Sequence, residues 1–222
     1  MKDSIIRVTG TAAESTPPDQ TELSLTLSIR NKDYSAMMSE ASEKAEALTS
    51  ALTAAGFDKS DIKTAEFNIS SDYENVQTEN GSWKRQFSGY RLVNRLHLVF
   101  PYDMKRLNDA VNAATGCKDA DPELSISFSI KDTDEVNRRL LAAAVKDARA
   151  KAEVIAEAAG AELGELCEIT YGEPTGGCLS PTVYNSAAGG LSRGVDISID
   201  PENAENMLNV TAVWCAVNTN PF

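Results

Sequence analysis

Lys84, Arg85, Arg91, Arg95 and His97 crowd five basic side chains into one stretch of an otherwise acidic chain. In an extended segment, successive side chains point to opposite faces. Arg91, Arg95 and His97 therefore share a face with Val93 and Val99, whereas Tyr90, Leu92, Leu96, Leu98 and Phe100 share the other, interrupted by Asn94. Guanidinium groups can hold carboxylates or other anions by paired hydrogen bonds. An imidazole can move protons near neutral pH. His97 is the only histidine, and its face neighbours Arg95 and Val99 offer no carboxylate to orient it, so a surface or interface contact is the better reading than catalysis. Lys and Arg total 21 against 33 Asp and Glu, a net charge of −12. The strip must then meet acidic groups of this chain, of a second copy or of a partner. Taken singly, each residue reads as a surface ion pair worth about 0 to 1 kcal/mol. As a set, the five can fix register against an acidic surface.

Other chemistry is sparse. The chain has no G-x-x-x-x-G-K-[ST] loop, no strand-linked G-x-G-x-x-G, no H-E-x-x-H and no G-x-S-x-G elbow. No nucleophile stands beside a base, no cofactor is implied, and the expectation is that the protein is not an enzyme. Helix-borne carboxylates such as Glu40, Glu43, Glu46, Glu153 and Glu157 read as solvated faces. Cys117, Cys167, Cys178 and Cys215 lack ligand spacing for zinc. Cys167 and Cys215 fall in apolar strand patterns and read as small buried hydrophobes. In a secreted protein, four cysteines would permit three disulfide connectivities. The negative charge disfavours nucleic acid and anionic membranes, and no apolar run approaches the roughly 20 residues of a bilayer span. MKDSIIRVTG shows no leader pattern, so the chain as written reads as cytoplasmic. The alternative is export with a leader removed.

The elements that position these residues follow from periodicity. Ile5–Gly10 reads as a short strand, and Leu23, Leu25, Leu27 and Ile29 alternate with polar residues in a second. From Asp33 the spacing becomes helical through Met37, Met38, Ala41, Ala45, Leu48 and Leu52, and Gly56 stops it. Ala65, Phe67, Ile69 and Tyr73 form one face of a strand whose return arm, past Asn80-Gly81, carries the basic strip. Asp103 caps a shorter helix. Leu124, Ile126, Phe128 and Ile130 alternate with serines and Lys131 in the cleanest strand. Asp132 and Glu135 fit a capping box opening the longest helix, whose stripe runs Val136, Leu140, Ala144, Ala148, Ala152, Ile155 and Ala159. Such an alanine-rich stripe predicts a helix lying flat on a sheet. Strands at Glu165–Tyr171 and Leu208–Val217 follow. Phe128 and Leu140 are the clearest expected core residues.

This order contains strand, helix, strand, strand twice, over 20–100 and 122–217, within a single domain spanning 1–222. The predicted class is α+β, a mostly antiparallel sheet with two long helices and one shorter helix. Between about 172 and 206 no period is sustained. That stretch reads as a disordered or functional connection, in which Leu179, Val183, Tyr184 and Leu191 can order against a neighbouring subunit. Tyr184 thus joins the basic residues as a candidate contact.

IRVTGTA followed by ELSLTLSI, the strand GYRLVNRLHLVF, the strand LSISFSIKD and above all ARAKAEVIAEAAGAELGEL resemble the SIMPL-domain proteins, over nearly the whole chain from Ile5 to Val217. The resemblance implies an α+β fold able to assemble into ring-like or channel-like homo-oligomers, in a family with periplasmic-antigen-like and kinase-adaptor-like members. It brings no catalytic residues. The expected function is a noncatalytic, homo-oligomerising protein, with a stress-related or scaffolding role that the family alone implies. The alternative is a ligand- or protein-binding module using the basic hairpin strip and the 172–206 loop. An enzyme has the least support.

Overall fold

The computed structural model describes residues 4–77, 80–172, 184–187 (backbone alone) and 198–218. The fold is α+β. In chain order the elements are β1 (Ser4–Thr16), β2 (Gln20–Asn31), α1 (Tyr34–Ala54), β3 (Ile62–Gln77), β4 (Trp83–Pro101), α2 (Met104–Gly116), β5 (Glu123–Ser129), α3 (Thr133–Ala158), β6 (Ala161–Tyr171), β7 (Tyr184–Ala187) and β8 (Ala204–Asn218). They form two sheets rather than the single one expected from sequence, with orders β1-β8-β6 and β3-β4-β2-β5-β7. Two compact units result, one from β1, α3, β6 and β8, the other from the remaining elements. The boundary differs from the tandem halves seen in the sequence, because β5 joins the sheet of β2 and β4 while β1 joins that of β6 and β8.

In the five-stranded unit, β2 alternates as predicted, burying Thr21, Leu23, Leu25, Leu27 and Ile29. Antiparallel register sets Leu23 against Leu98, Leu25 against Leu96 and Ile29 against Leu92. Helix α1 begins where the Asp33 carboxylate accepts the Ala36 N–H at 2.7 Å, which satisfies one of the free N–H groups of a first turn. It covers this face with Met37, Ala41, Leu48 and Leu52. Asp103 caps α2 by accepting from the Lys105 and Arg106 N–H groups, and Leu107 and Val111 join the same core. Phe128, buried as expected, meets Tyr102 edge-on with ring centroids 5.6 Å apart.

The hairpin of β3 and β4 departs from its sequence reading in two ways. Its connection runs from Gln77 to Trp83, longer than the two-residue turn that Asn-Gly favours, and Gly81 has φ 78°. A bulge between Thr64 and Glu66 sets Thr64 against Leu96 and Phe67 against Asn94. The extra residue is Ala65, so it does not continue the apolar face of Phe67 and Ile69 as the alternation suggested.

In the three-stranded unit, β1 pairs along its whole length with β8. Asp132 caps α3 by accepting the Glu135 N–H at 2.9 Å. The buried stripe of α3 is Val136, Leu140, Ala144, Ala148, Ala152 and Ala156. Ile155, expected in that stripe, is instead exposed, as is Ala159. A strict i+4 row slants across a helix, and the contact with the sheet follows that row rather than the helix axis. The Cys167 and Cys215 reading is also corrected. Cys167 is exposed and disulfide-bonded to Cys215, with Cα atoms 6.3 Å apart. The adjacent pairing of β6 with β8 brings the two thiols within bonding reach.

Candidate functional site

Arg91, Arg95 and His97 lie on the sheet face away from α1, and each of the three meets a carboxylate of its own chain. Arg91 donates through Nε and Nη2 to both Asp72 oxygens at 2.9 to 3.2 Å, and Arg30 approaches the same carboxylate at 3.5 Å. Arg95 pairs with Glu66 at 2.9 Å. His97 Nε2 lies 3.6 Å from Glu22. Register explains all three contacts: Glu66 stands directly across from Arg95, Asp72 lies two residues along β3 from Ser70, the partner of Arg91, and Glu22 sits two residues from Ser24, the partner of His97. Ser24 and His97 do not hydrogen-bond through their side chains, so the serine, imidazole and carboxylate do not form an acyl-transfer relay. The partners of the strip were not legible from β4 alone, because they are contributed by β2 and β3.

Lys84 and Arg85 lie farther out. Strand β2 accompanies β4 only to the Asn31–Tyr90 pair, whereas β3 and β4 continue together to the Gln77–Trp83 pair. Residues 72–77 and 83–89 therefore form a two-stranded arm. It carries an aromatic row: Tyr73 meets Phe87 at 5.9 Å, Phe87 meets Tyr90 at 5.1 Å, and Tyr90 meets Tyr34 at 5.5 Å. The Arg85 guanidinium caps the Tyr73 ring at 4.3 Å. Trp83 is 70% exposed, Tyr73 48% and Phe87 44%. Strict alternation would set Phe87 and Tyr90, three residues apart, on opposite faces, so the row was not legible in the sequence. The register shift between Asp72 and Tyr73 brings them together, and the row's lack of cover depends on where β2 stops. Of Tyr184 only the backbone is described, paired with Ile126; the contacts proposed for Leu179, Val183 and Leu191 lie outside the described residues.

A second feature was not apparent in the sequence. Helix α1 sits over β2 and β4, leaving a groove of about 790 Å³ between its flank and β3. Met38, Ala41 and Ala45 form one wall, Ile62 and Phe67 the other, with Asn94 and Leu96 between them. Among the described residues, no group of three or more His, Cys, Asp or Glu side chains is placed to hold a metal. No helix among them is long and apolar enough to cross a membrane.

Comparison with curated proteins found no match. The profile of the SIMPL family, described as a protein of unknown function (DUF541), matches residues 6–214. That match takes in both compact units and the strands and helices that build the arm and the groove, and the chain belongs to the SIMPL family.

Proposed function

We propose that this protein is a noncatalytic, self-assembling member of its family, in which the β3–β4 arm docks on a second copy. The uncovered aromatic row carries this reading. A two-stranded ribbon is marginally stable alone, and contiguous exposed aromatics on such a ribbon suit a protein interface. A second copy is the favoured occupant because Lys84 and Arg85 project from a chain of net charge −12, so another copy supplies the opposite charge. The edge strand β1 is the weaker candidate for strand addition, because its Thr11 N–H and Thr9 carbonyl are already held by Asp147 and Lys151 of α3. A scaffolding role follows from assembly; the stress-related role remains an implication of family resemblance.

The test is native mass at micromolar concentration by light scattering. An oligomer that loses mass in the double variant Trp83→Ser and Phe87→Ser, with circular dichroism unchanged, is expected. A monomeric unaltered protein, or an oligomer indifferent to the pair, overturns the reading. The alternative, a binding module, draws its support from the groove beside α1 rather than from Arg91, Arg95 and His97, whose side chains already face carboxylates of the same chain. The Cys167–Cys215 bridge favours an oxidising compartment, and with it export over the cytoplasm.

A further inference from the structure

Asn94 interrupts the apolar face of β4 between Leu92 and Leu96, is 6% exposed, and has a side-chain carbonyl, Oδ1, with no hydrogen-bond partner. Leucine would satisfy the packing of that face; a buried amide whose carbonyl is unpaired is unfavourable and calls for a reason. Its register neighbours are Leu27 on β2 and Phe67 on β3, neither of which can donate from its side chain. The residue lines the groove beside α1, whose volume falls within the range of small-molecule sites. Its walls offer small residues, Ala41 and Ala45, facing the 51% exposed Phe67 ring. Glu46 and Lys59 stand among the lining residues with opposite charges, so neither sign of ion is favoured.

Two kinds of occupant compete for such a place. β3 is an edge strand, and an extended peptide can add to an edge beside a helix. The bulge between Thr64 and Glu66 breaks the regular spacing of backbone groups along the groove, and bulges on edges oppose strand addition. A broad protein surface would not reach a residue so deeply covered as Asn94. A slim molecule would.

We propose that the groove binds a small, uncharged, aromatic molecule whose ring lies between Ala45 and Phe67 and whose N–H or O–H donates to the Asn94 carbonyl. The terminal amide torsion of asparagine is broad and roughly two-fold, so rotation about it turns the carbonyl toward the groove without moving the backbone. Unlike the self-assembly reading, this inference needs no second copy and uses none of the arm's aromatic residues.

Indole and benzofuran share one ring shape, but only indole carries an N–H donor. Both are titrated against the full-length ¹⁵N-labelled protein, following the backbone amides of Ala45 and Phe67 and the Asn94 side-chain amide by NMR. Indole is expected to bind saturably and roughly fivefold to tenfold more tightly than benzofuran, the usual value of one net hydrogen bond. In Asn94→Leu the two ligands should bind alike, and that variant should melt no lower than the unaltered protein. Ala45→Trp, which fills the groove from its wall, should lose both. Failure of indole to saturate these signals overturns the proposal. Equal binding of the two ligands to the unaltered protein overturns it without recourse to any substitution. So does an indole preference that survives in Asn94→Leu.

Discussion

Gly10 of β1 and Ala148 of α3 lie so close that a Cβ built on the glycine would stand 2.7 Å from the Ala148 Cβ and collide with the Ala144 backbone carbonyl. Side-chain repacking cannot relieve a clash with helix backbone. Gly10→Ala should therefore lift α3 from the sheet and destabilise the protein by about 1 to 3 kcal/mol, the usual cost of overpacking. Gly116, at the end of α2, has open space where a Cβ would go, and Gly116→Ala should be neutral or slightly stabilising. Denaturant midpoints for the two variants check the contrast. Equal midpoints would mean that α3 does not ride directly on β1.

Each compact unit has a core residue whose truncation probes it. Leu140, 1% exposed, packs with Val136, Leu208 and Val210, and Leu140→Ala should cost about 2 to 5 kcal/mol. Phe128 belongs to the cluster around β2 and α1, and Phe128→Ala should cost about 3 to 5 kcal/mol. Chemical denaturation of each variant measures the loss; less than about 1 kcal/mol at either position would contradict its burial.

How far such positions could be read from sequence depended on how local their cause was. Leu23 to Ile29 and Leu124 to Phe128 were legible because burial of one strand face imposes a two-residue period. The Asp103 and Asp132 caps were legible because capping is settled within one turn. Ile155 was misplaced because the slant of the α3 contact is set by the sheet beneath it. Cys167 and Cys215 were misread because their meeting depends on β6–β8 pairing across 48 residues. Asn94 was visible as an interruption, yet its groove exists only because α1 leaves β3 uncovered. The carboxylates facing Arg91, Arg95 and His97 come from neighbouring strands, which no single-strand pattern shows.

Asp147 should make stability depend on pH. Its carboxylate accepts from Lys151 Nζ and from the Thr11 N–H, each at 2.7 Å. The lysine hydrogen bond, followed by the backbone one, holds its pKa below the ordinary aspartate value. A depressed folded pKa means that the folded state binds the proton less readily than the unfolded chain. The stabilisation is thus fully present above the unfolded value of about 3.9 and disappears as pH falls through the folded value. Asp147→Asn should be less stable than the unaltered protein at pH 7, with the difference closing as pH drops below about 4. Thermal melts across that range check it. A gap that stays constant down to pH 2 would assign the loss to packing instead of charge.

The Cys167–Cys215 bond closes a loop of 48 residues' separation, and in the chain-entropy account a loop of this length removes about 4 kcal/mol of denatured-state freedom, with measured values for disulfides usually 2 to 4 kcal/mol. Cys215→Ser should lower stability by that amount under oxidising conditions, and reduction with dithiothreitol should bring the unaltered protein down to meet it. The exposure of Cys167 makes the bond reachable by a small reductant. Peptide mapping without reduction should recover the two cysteines as one cross-linked species. Recovery of both as separately alkylated thiols from protein purified without reductant would show that the pair does not form, and would remove the support for an oxidising compartment. A stability loss that persists unchanged in dithiothreitol would instead assign the role of Cys215 to its packing between β1 and β6.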